Sequence, residues 1–242
     1  MERVAVVTGA SRGIGRAVAL TLAAEGNAVV VGYAGNAGMA DEVVKEITAA
    51  GGQAVAAQAD VADETQVAAM FDLTQERFGG VDVVVNSAGV MTLAPVADTD
   101  LDALDAMWRT NVRGTFVVGR EAARRVRDGG SIIAMSTSIV GLQLPAYAGY
   151  AASKAAVEAT TLIFAREMRG RNITVNTVAP GPTDTSFFTD GKDPEAIARA
   201  AKQPPLERLG TPEDAAAMVA FLTSPRGHWV NGQTIRSNGG II

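Results

Sequence analysis

The sequence predicts an α/β fold: a doubly wound parallel sheet of about seven strands, arranged in three αβα layers. Three observations carry that expectation. Short apolar runs rich in Val, Ile and Ala alternate with longer stretches of helical spacing along the whole chain. The runs are nearly continuous rather than alternating, as in strands covered on both faces. Gly, Pro, Asn and Asp stand between them, where helices stop and start. Repeated β-α-β succession leads to parallel strands, because each helix carries the chain back before the next strand begins.

Taken in order, Arg3–Thr8 reads as a buried strand and residues 14–25 as a helix stopped by Gly26-Asn27. Residues 28–33 form a second strand, and a second helix over 37–50 ends at Gly51-Gly52. The third strand is 53–58, after which Asp63 caps a helix running to Phe78. Val81–Asn86 is the fourth strand. The stretch 101–127 has helical spacing and is expected to break near Gly114. Then come a strand over 131–136, a helix over 150–169, and a strand over 173–179 ended by Pro180-Gly181-Pro182. A helix over 211–222 opens with Thr-Pro-Glu, with proline at its first position. Thr234–Ser237 is a last short strand. No linker divides the chain, so residues 1–242 are expected to form one domain. Residues 183–205, with Phe187-Phe188 and several Pro and Gly, read as an irregular lid.

Of 242 residues, 48% are apolar and only 5% aromatic, which suits helices packed closely on a sheet. The net charge of −5 argues against a nucleic-acid partner. No uncharged apolar run reaches the ~18 residues of a membrane span. Met1-Glu2-Arg3 leads directly into Val4-Ala5-Val6-Val7 without a long apolar signal segment, so the cytoplasm is the expected location. Cysteine is absent, and His228 is the only histidine. Disulfides, thiolate nucleophiles, histidine triads and multi-His metal sites are thereby excluded, and no metal is expected. His228 reads as a surface or packing residue. Chemistry must rest on Ser, Tyr, Lys, Asn, carboxylates or a bound cofactor.

The first strand ends in Thr8-Gly9-Ala10-Ser11-Arg12-Gly13-Ile14-Gly15 and runs into a helix. Glycines let the backbone turn sharply and approach a pyrophosphate, and a helix N-terminus offers free N–H groups. Alone, such a turn can equally be a strand–helix junction without a ligand. Tyr150-Ala151-Ala152-Ser153-Lys154 sets a phenol and an ammonium on one helical face. An ammonium there favours phenolate and gives an acid/base group without histidine. The plainer reading is a surface lysine on an amphipathic helix. Asn86-Ser87-Ala88-Gly89, Ser136-Thr137-Ser138-Ile139-Val140-Gly141 and Pro180-Gly181 end the fourth, fifth and sixth strands. Each alone is ordinary turn chemistry. Together they share the carboxyl edge of the sheet, where ligands of open α/β folds bind.

With TGASRGIG, NSAG, NVRG, STS…YAASK and the Pro-Gly step in this order and spacing, the sequence resembles the short-chain dehydrogenase/reductase family over essentially its whole length. The resemblance implies a single Rossmann-type NAD(P)-binding domain that passes hydride between a nicotinamide and a small carbonyl or secondary alcohol substrate. It puts Gly9, Ser11, Arg12, Gly13, Ile14 and Gly15 at the cofactor phosphates, Tyr33 at the adenine ribose, and Asp60 with Val61 at the adenine. Asn86, Ala88 and Gly89 would back the ribose and the central sheet. Asn111 would support a water beside the lysine. Tyr150 would give or take the proton; Lys154 would hold the nicotinamide ribose and lower the tyrosine pKa. Pro180, Gly181 and Thr183 would line the cofactor, and Thr185 would fix the carboxamide. The carbonyl-binding serine matches Ser138 when counted back from Gly141, but Thr137 or Ser136 when counted forward along strand five; Ser138 is preferred. Asn238 stands where the family often has Asp, with an effect expected on packing or assembly.

NADP(H) is expected over NAD(H), the alternative. NAD-binding members carry an acidic residue where Tyr33 stands, no carboxylate occurs over 29–36, and Arg12 can take a phosphate in fork geometry. The resemblance also implies a homotetramer built on the helices over 101–127 and 150–169. Arg120, Arg124, Arg125 and Arg127, with Arg169 and Arg171, read as a solvated helix end. The alternative is docking of an acidic carrier protein, as in 3-oxoacyl-carrier-protein reductases. A dinucleotide sensor without turnover is the rival from another class. The presence of Asn111, Ser138, Tyr150 and Lys154 together tells against it.

Overall fold

A computed structural model describes residues 3–242; Met1 and Glu2, part of the N-terminal stretch read above, lie outside the described residues. Among the described residues seven strands form one sheet: β1 (Arg3–Thr8), β2 (Asn27–Tyr33), β3 (Ala54–Gln58), β4 (Val81–Asn86), β5 (Val126–Met135), β6 (Thr174–Pro180) and β7 (Thr234–Ser237). Every pairing is parallel, in the order β3-β2-β1-β4-β5-β6-β7. The chain winds outward from β1 to β3, returns to β4 beside β1, and winds outward again. The reversal between β1 and β4 opens a crevice at the strands' carboxyl ends.

The two faces are separated by strand alternation. Ala5, Val7, Val29, Val31, Val83 and Val85 pack with α1 (Gly13–Ala24), α2 (Ala37–Ala49) and, late in the chain, α10 (Pro212–Thr223). Val6, Val30 and Val84 face the opposite way. They meet Phe71 of α3 (Glu64–Phe78), Val118 of α5 (Gly114–Arg125) and Ala165 of α7 (Ala148–Glu167). Asp63 caps α3 by accepting from the Thr65 and Gln66 N–H groups, as the sequence suggests. No helix among the described residues is long and apolar enough to cross a membrane.

The stretch 101–127 is α4 (Leu101–Trp108), a π-helical turn (Arg109–Arg113) and α5, an interruption beside Gly114 as the sequence suggests. Two other segments differ from expectation. Strand five begins at Val126 rather than 131, with a register irregularity opposite Val81 and Val83, and Arg127 Nε anchors it to Asp82 Oδ1 at 2.9 Å. The 183–205 segment is not irregular throughout. It holds α8 (Ser186–Thr189) and α9 (Pro194–Ala201), the latter capped by Asp193 and opened by Pro194. A short α6 (Ile139–Leu142) follows β5.

Candidate active site

The glycine-rich turn is built for close approach. Gly9 has φ +64°, and a Cβ there would stand 2.9 Å from the backbone of Ala88. Only a residue without a side chain lets this turn lie on the end of β4. Arg12 precedes α1 without a side-chain capping bond, and the first turn of α1 has no acidic residue. The helix therefore presents N–H groups and positive potential at the sheet edge, as a bound pyrophosphate requires. A Cβ on Gly13 would meet Thr185 Cγ2 at 3.6 Å, so Thr185 closes over this turn.

A chain of hydrogen bonds joins that turn to the π-helical turn. Thr8 Oγ1 donates to Asn86 Oδ1 at 2.7 Å and accepts from Ala88 N at 3.2 Å. Asn86 Nδ2 donates to Thr115 Oγ1 at 3.0 Å, and Thr115 Oγ1 to the Asn111 carbonyl at 2.6 Å. Asn111 is 1% exposed and clamps Val90 in both directions: Oδ1 accepts from Val90 N and Nδ2 donates to Val90 O, each at 2.9 Å. Its Nδ2 also reaches Ser153 Oγ of α7 at 3.0 Å. The same π turn sends Arg109 Nη1 to Asp60 Oδ2 at 2.6 Å, while Asp60 Oδ1 accepts from Ala62 N. Partial burial opposes ionisation of Asp60, but the Ala62 N–H and the Arg109 guanidinium together outweigh it and hold the carboxyl below its ordinary range. Val61 packs against Gly114, where a Cβ would stand 2.7 Å from Val61 Cγ2. The Arg109 partnership was not anticipated; nothing in the spacing of residues 60 and 109 announces it.

Tyr150 and Lys154 lie on one face of α7, 6% and 5% exposed. Lys154 Nζ donates to the Met135 carbonyl at 2.9 Å, and burial pushes its pKa down to about 8. Burial likewise pushes the Tyr150 phenol up to about 12, against a hydrogen bond with the Thr137 side chain that pulls the other way. Burial is the largest influence on the phenol, and Lys154 is directed to a backbone carbonyl. The Phe187 ring of the 183–205 segment lies 6.4 Å from the Tyr150 ring at 52°.

The three consecutive hydroxyls after β5 diverge. Ser136 Oγ donates to Glu158 Oε1 at 2.6 Å. Ser138 Oγ donates to the Ala179 carbonyl at 3.2 Å and accepts from Asn238 Nδ2 at 3.0 Å. Thr137 is the one that meets Tyr150. Ser138, the residue preferred on counting back from Gly141, thus turns its hydroxyl towards β6 and the C-terminal segment.

The remaining expected residues gather at the same edge. Pro180 ends β6, and Gly181 packs so that a Cβ would stand 3.0 Å from Asn238. Thr183 is buried, with Oγ1 donating to Gly181 O at 3.0 Å. Tyr33 ends β2, and Asn36 Oδ1 caps α2 by accepting from Met39 N at 3.1 Å. Ser11, Ile14 and Gly15 belong to the turn and first residues of α1, with Arg12 exposed beside them. Five arginines of the cluster, Arg120, Arg124, Arg125, Arg127 and Arg171, are paired within the chain. Arg120 meets Glu64 at 2.7 Å, Arg124 and Arg125 meet the buried Glu121 at 3.1 and 2.9 Å, and Arg171 meets Asp128 at 3.0 Å. His228 Nε2 contacts Asn172 Oδ1 at 3.1 Å, a surface arrangement.

The family model described as enoyl-(acyl carrier protein) reductase matches residues 9–242. A short-chain type dehydrogenase/reductase of Picea abies is 47% identical, the match covering 99% of this chain and 92% of the relative. An NADPH-dependent aldehyde reductase-like protein, chloroplastic, of Arabidopsis thaliana is 41% identical over 99% of this chain and 94% of its own. A short chain dehydrogenase from Burkholderia cenocepacia, solved in complex with NADP, superposes with a TM-score of 0.92 at 39% identity, covering 99% of this chain and 97% of that one. With the sheet order and crevice above, these matches settle the family: the chain belongs to the short-chain dehydrogenases/reductases, oxidoreductases acting on carbonyl and alcohol groups.

Proposed function

We propose that this protein is an NADP(H)-dependent reductase of small carbonyl compounds, with Tyr150 as its general acid. The observation that carries the reading is the burial of Tyr150 and Lys154 on one face of α7, beside the crevice that the Gly9–Gly15 turn opens onto. NADP(H) is supported by the absence of a carboxylate over 29–36 and by the exposed Arg12. The NADPH dependence of the Arabidopsis relative and the NADP complex of the Burkholderia protein point the same way. The dinucleotide fits the residues present: an uncapped helix N-terminus for its pyrophosphate, and glycines where a Cβ would intrude.

When bound, the nicotinamide supplies hydride to the carbonyl carbon. The chain's own residues do the rest. Tyr150 Oη, held neutral by burial, gives its proton to the developing alkoxide oxygen. Lys154 Nζ, fixed on the Met135 carbonyl, would hold the nicotinamide ribose. Asn111 keeps the Val90 backbone and α7 in register. Residues 183–205 act as the lid, bringing Phe187 over Tyr150 and limiting water. The pairing of Arg120, Arg124, Arg125 and Arg171 with carboxylates of the same chain favours a free small substrate over one delivered on an acidic carrier protein.

The test is a panel of aldehydes and ketones followed by NADPH absorbance, with Tyr150→Phe alongside. Turnover should fall by ~10²–10⁴-fold in the variant while NADPH affinity is kept. Near-normal turnover in Tyr150→Phe would remove the tyrosine from its role.

A further inference from the structure

The carbonyl that holds Lys154 is itself held. Met135, whose oxygen accepts from Lys154 Nζ at 2.9 Å, is the last residue of β5. Its peptide unit is completed by the Ser136 N–H, which donates to Val178 O of β6 at 2.8 Å. A planar trans peptide points these two groups in opposite directions, so the unit is stretched between Lys154 and β6 and cannot turn without straining both bonds.

A second side chain of α7 reaches the same place. Glu158, one helical turn after Lys154, is partly buried, and its Oε1 accepts from Ser136 Oγ at 2.6 Å. A carboxylate only accepts, so the proton is the serine's, and the distance is that of a charge-assisted bond. Ser136 is 6% exposed. Residues 135 and 136 are thus gripped by two side chains that project from one face of one helix: Lys154 takes the carbonyl of the first and Glu158 the hydroxyl of the second. The seating of α7 does not depend on this grip. Thr161 Oγ1 and Thr177 Oγ1 lie 2.5 Å apart two turns beyond Lys154 and join the helix to β6 separately.

We propose that Glu158 is a positioning residue for Lys154: through Ser136 it fixes the 135–136 peptide, whose carbonyl aims the ammonium at the nicotinamide ribose. The inference rests on the reductase reading above and deepens it. Glu158 touches neither cofactor nor substrate and exchanges no proton during turnover. Without its carboxylate the Ser136 hydroxyl is left buried with no acceptor. A shift of residue 136 towards another acceptor carries the Met135 carbonyl with it, and Lys154 follows. The action lies in accepting a hydrogen bond, so a neutral amide in the same place serves.

The experiment measures kcat/KM for NADPH, NADPH dissociation by fluorescence titration, and melting temperature in Glu158→Met, Glu158→Gln, Ser136→Ala and Lys154→Met. Dissociation is also measured with Glu158→Met and Lys154→Met combined. Glu158→Met and Ser136→Ala should each lower kcat/KM about tenfold, within the ~10²-fold that a misplacement of about 1 Å can cost. Glu158→Gln should return it to within about twofold of the parent, since the amide oxygen still accepts. With Lys154→Met already present, adding Glu158→Met should change dissociation by less than about twofold, because residues that act through one another are not additive. Should Glu158→Met not fold, Ser136→Ala carries the same comparison in both backgrounds. Parental NADPH kinetics in Glu158→Met and Ser136→Ala, beside weakened binding in Lys154→Met, overturn the inference and leave the reductase reading standing. So does a Glu158→Gln as impaired as Glu158→Met, or a loss equally large with and without the ammonium. A Lys154→Met that binds NADPH like the parent takes the lysine off the ribose and overturns that part of the reductase reading together with the inference.

Discussion

Gly89 and Lys154 stand so close that a side chain on Gly89 fits only if its neighbours give by a few tenths of an ångström. A Cβ on Gly89 would stand 3.2 Å from Lys154 Nζ and 3.3 Å from Asn111 Oδ1. Gly89→Ala is therefore expected either to push the ammonium off the Met135 carbonyl or to loosen the clamp of Asn111 on Val90. Turnover should fall by about tenfold or more, equivalent to ~1.4 kcal/mol in the barrier. Steady-state kinetics and a thermal melt check this. An unchanged kcat would mean that the ammonium has slack.

Lys154 should leave two signatures in pH. Its pKa is about 8 in the folded protein against the ordinary 10.5. Between those values the native state binds fewer protons than the unfolded chain, so the cost of burying the charge disappears as pH rises through this window. At pH 7 the cost is present. Lys154→Met should consequently raise the melting temperature of the cofactor-free protein at neutral pH, by a stability on the order of 1–3 kcal/mol, while turnover collapses. In the parent protein, kcat/KM for NADPH should decline as pH rises through about 8 and the ammonium is lost. Lys154→Arg should shift that limb upward. A limb unmoved by Lys154→Arg assigns it to another group.

Cofactor choice should reside at the end of β2. Tyr33→Asp places a carboxylate where a 2′-phosphate would lie, and repulsion should shift the ratio of specificity constants towards NADH by about tenfold or more. Arg12→Ala should weaken NADPH more than NADH, because the guanidinium is exposed and uncapped at the turn. Equal losses for both cofactors would place Arg12 on the pyrophosphate instead.

Phe116 of α5 is 60% exposed, and Leu162 and Ile163 of α7 are 44% and 58% exposed. Apolar side chains of this size on two long neighbouring helices suit a subunit contact. A homotetramer is expected by light scattering at micromolar concentration, and Ile163→Glu should dissociate it. A monomeric mass for the parent protein would sink this expectation.

Most of the fold was legible because β1, β2, β4 and β6 are buried on both sides and their Val-rich runs stand apart from their flanks. The start of β5 was not, because Arg127-Asp128-Gly129-Gly130 reads as a turn. It becomes strand through the parallel pairing of Val126 with Val81, beside which Arg127 is tied to Asp82, 45 positions away. The helix α9 was hidden by the prolines and glycines around it, although Asp193-Pro194 is a start signal in itself. At the site, the turn glycines, Tyr150 and Lys154 were readable from spacing. The orientation of Ser136, Thr137 and Ser138 was not, since it depends on Glu158, Ala179 and Asn238, which reach the loop only through tertiary contact. Nor was the direction of the Tyr150 shift. A four-residue separation says that two groups share a face; it does not say that a carbonyl will claim the ammonium.

The π turn at Arg109–Arg113 gives the protein an unusual sensitivity to length. Each residue of an α-helix advances the face by about 100°, and a π turn absorbs one residue more than an α turn. Deleting a single residue here would let α4 and α5 merge into one straight rod, with no loss of charge or apolar surface. It would also rotate everything upstream relative to everything downstream by about a quarter turn. With Thr110 as the residue deleted, Arg109 could then face Asp60, or Asn111 could face Val90, but not both. Homologues of different loop lengths should accordingly vary elsewhere and keep the count between these two contacts.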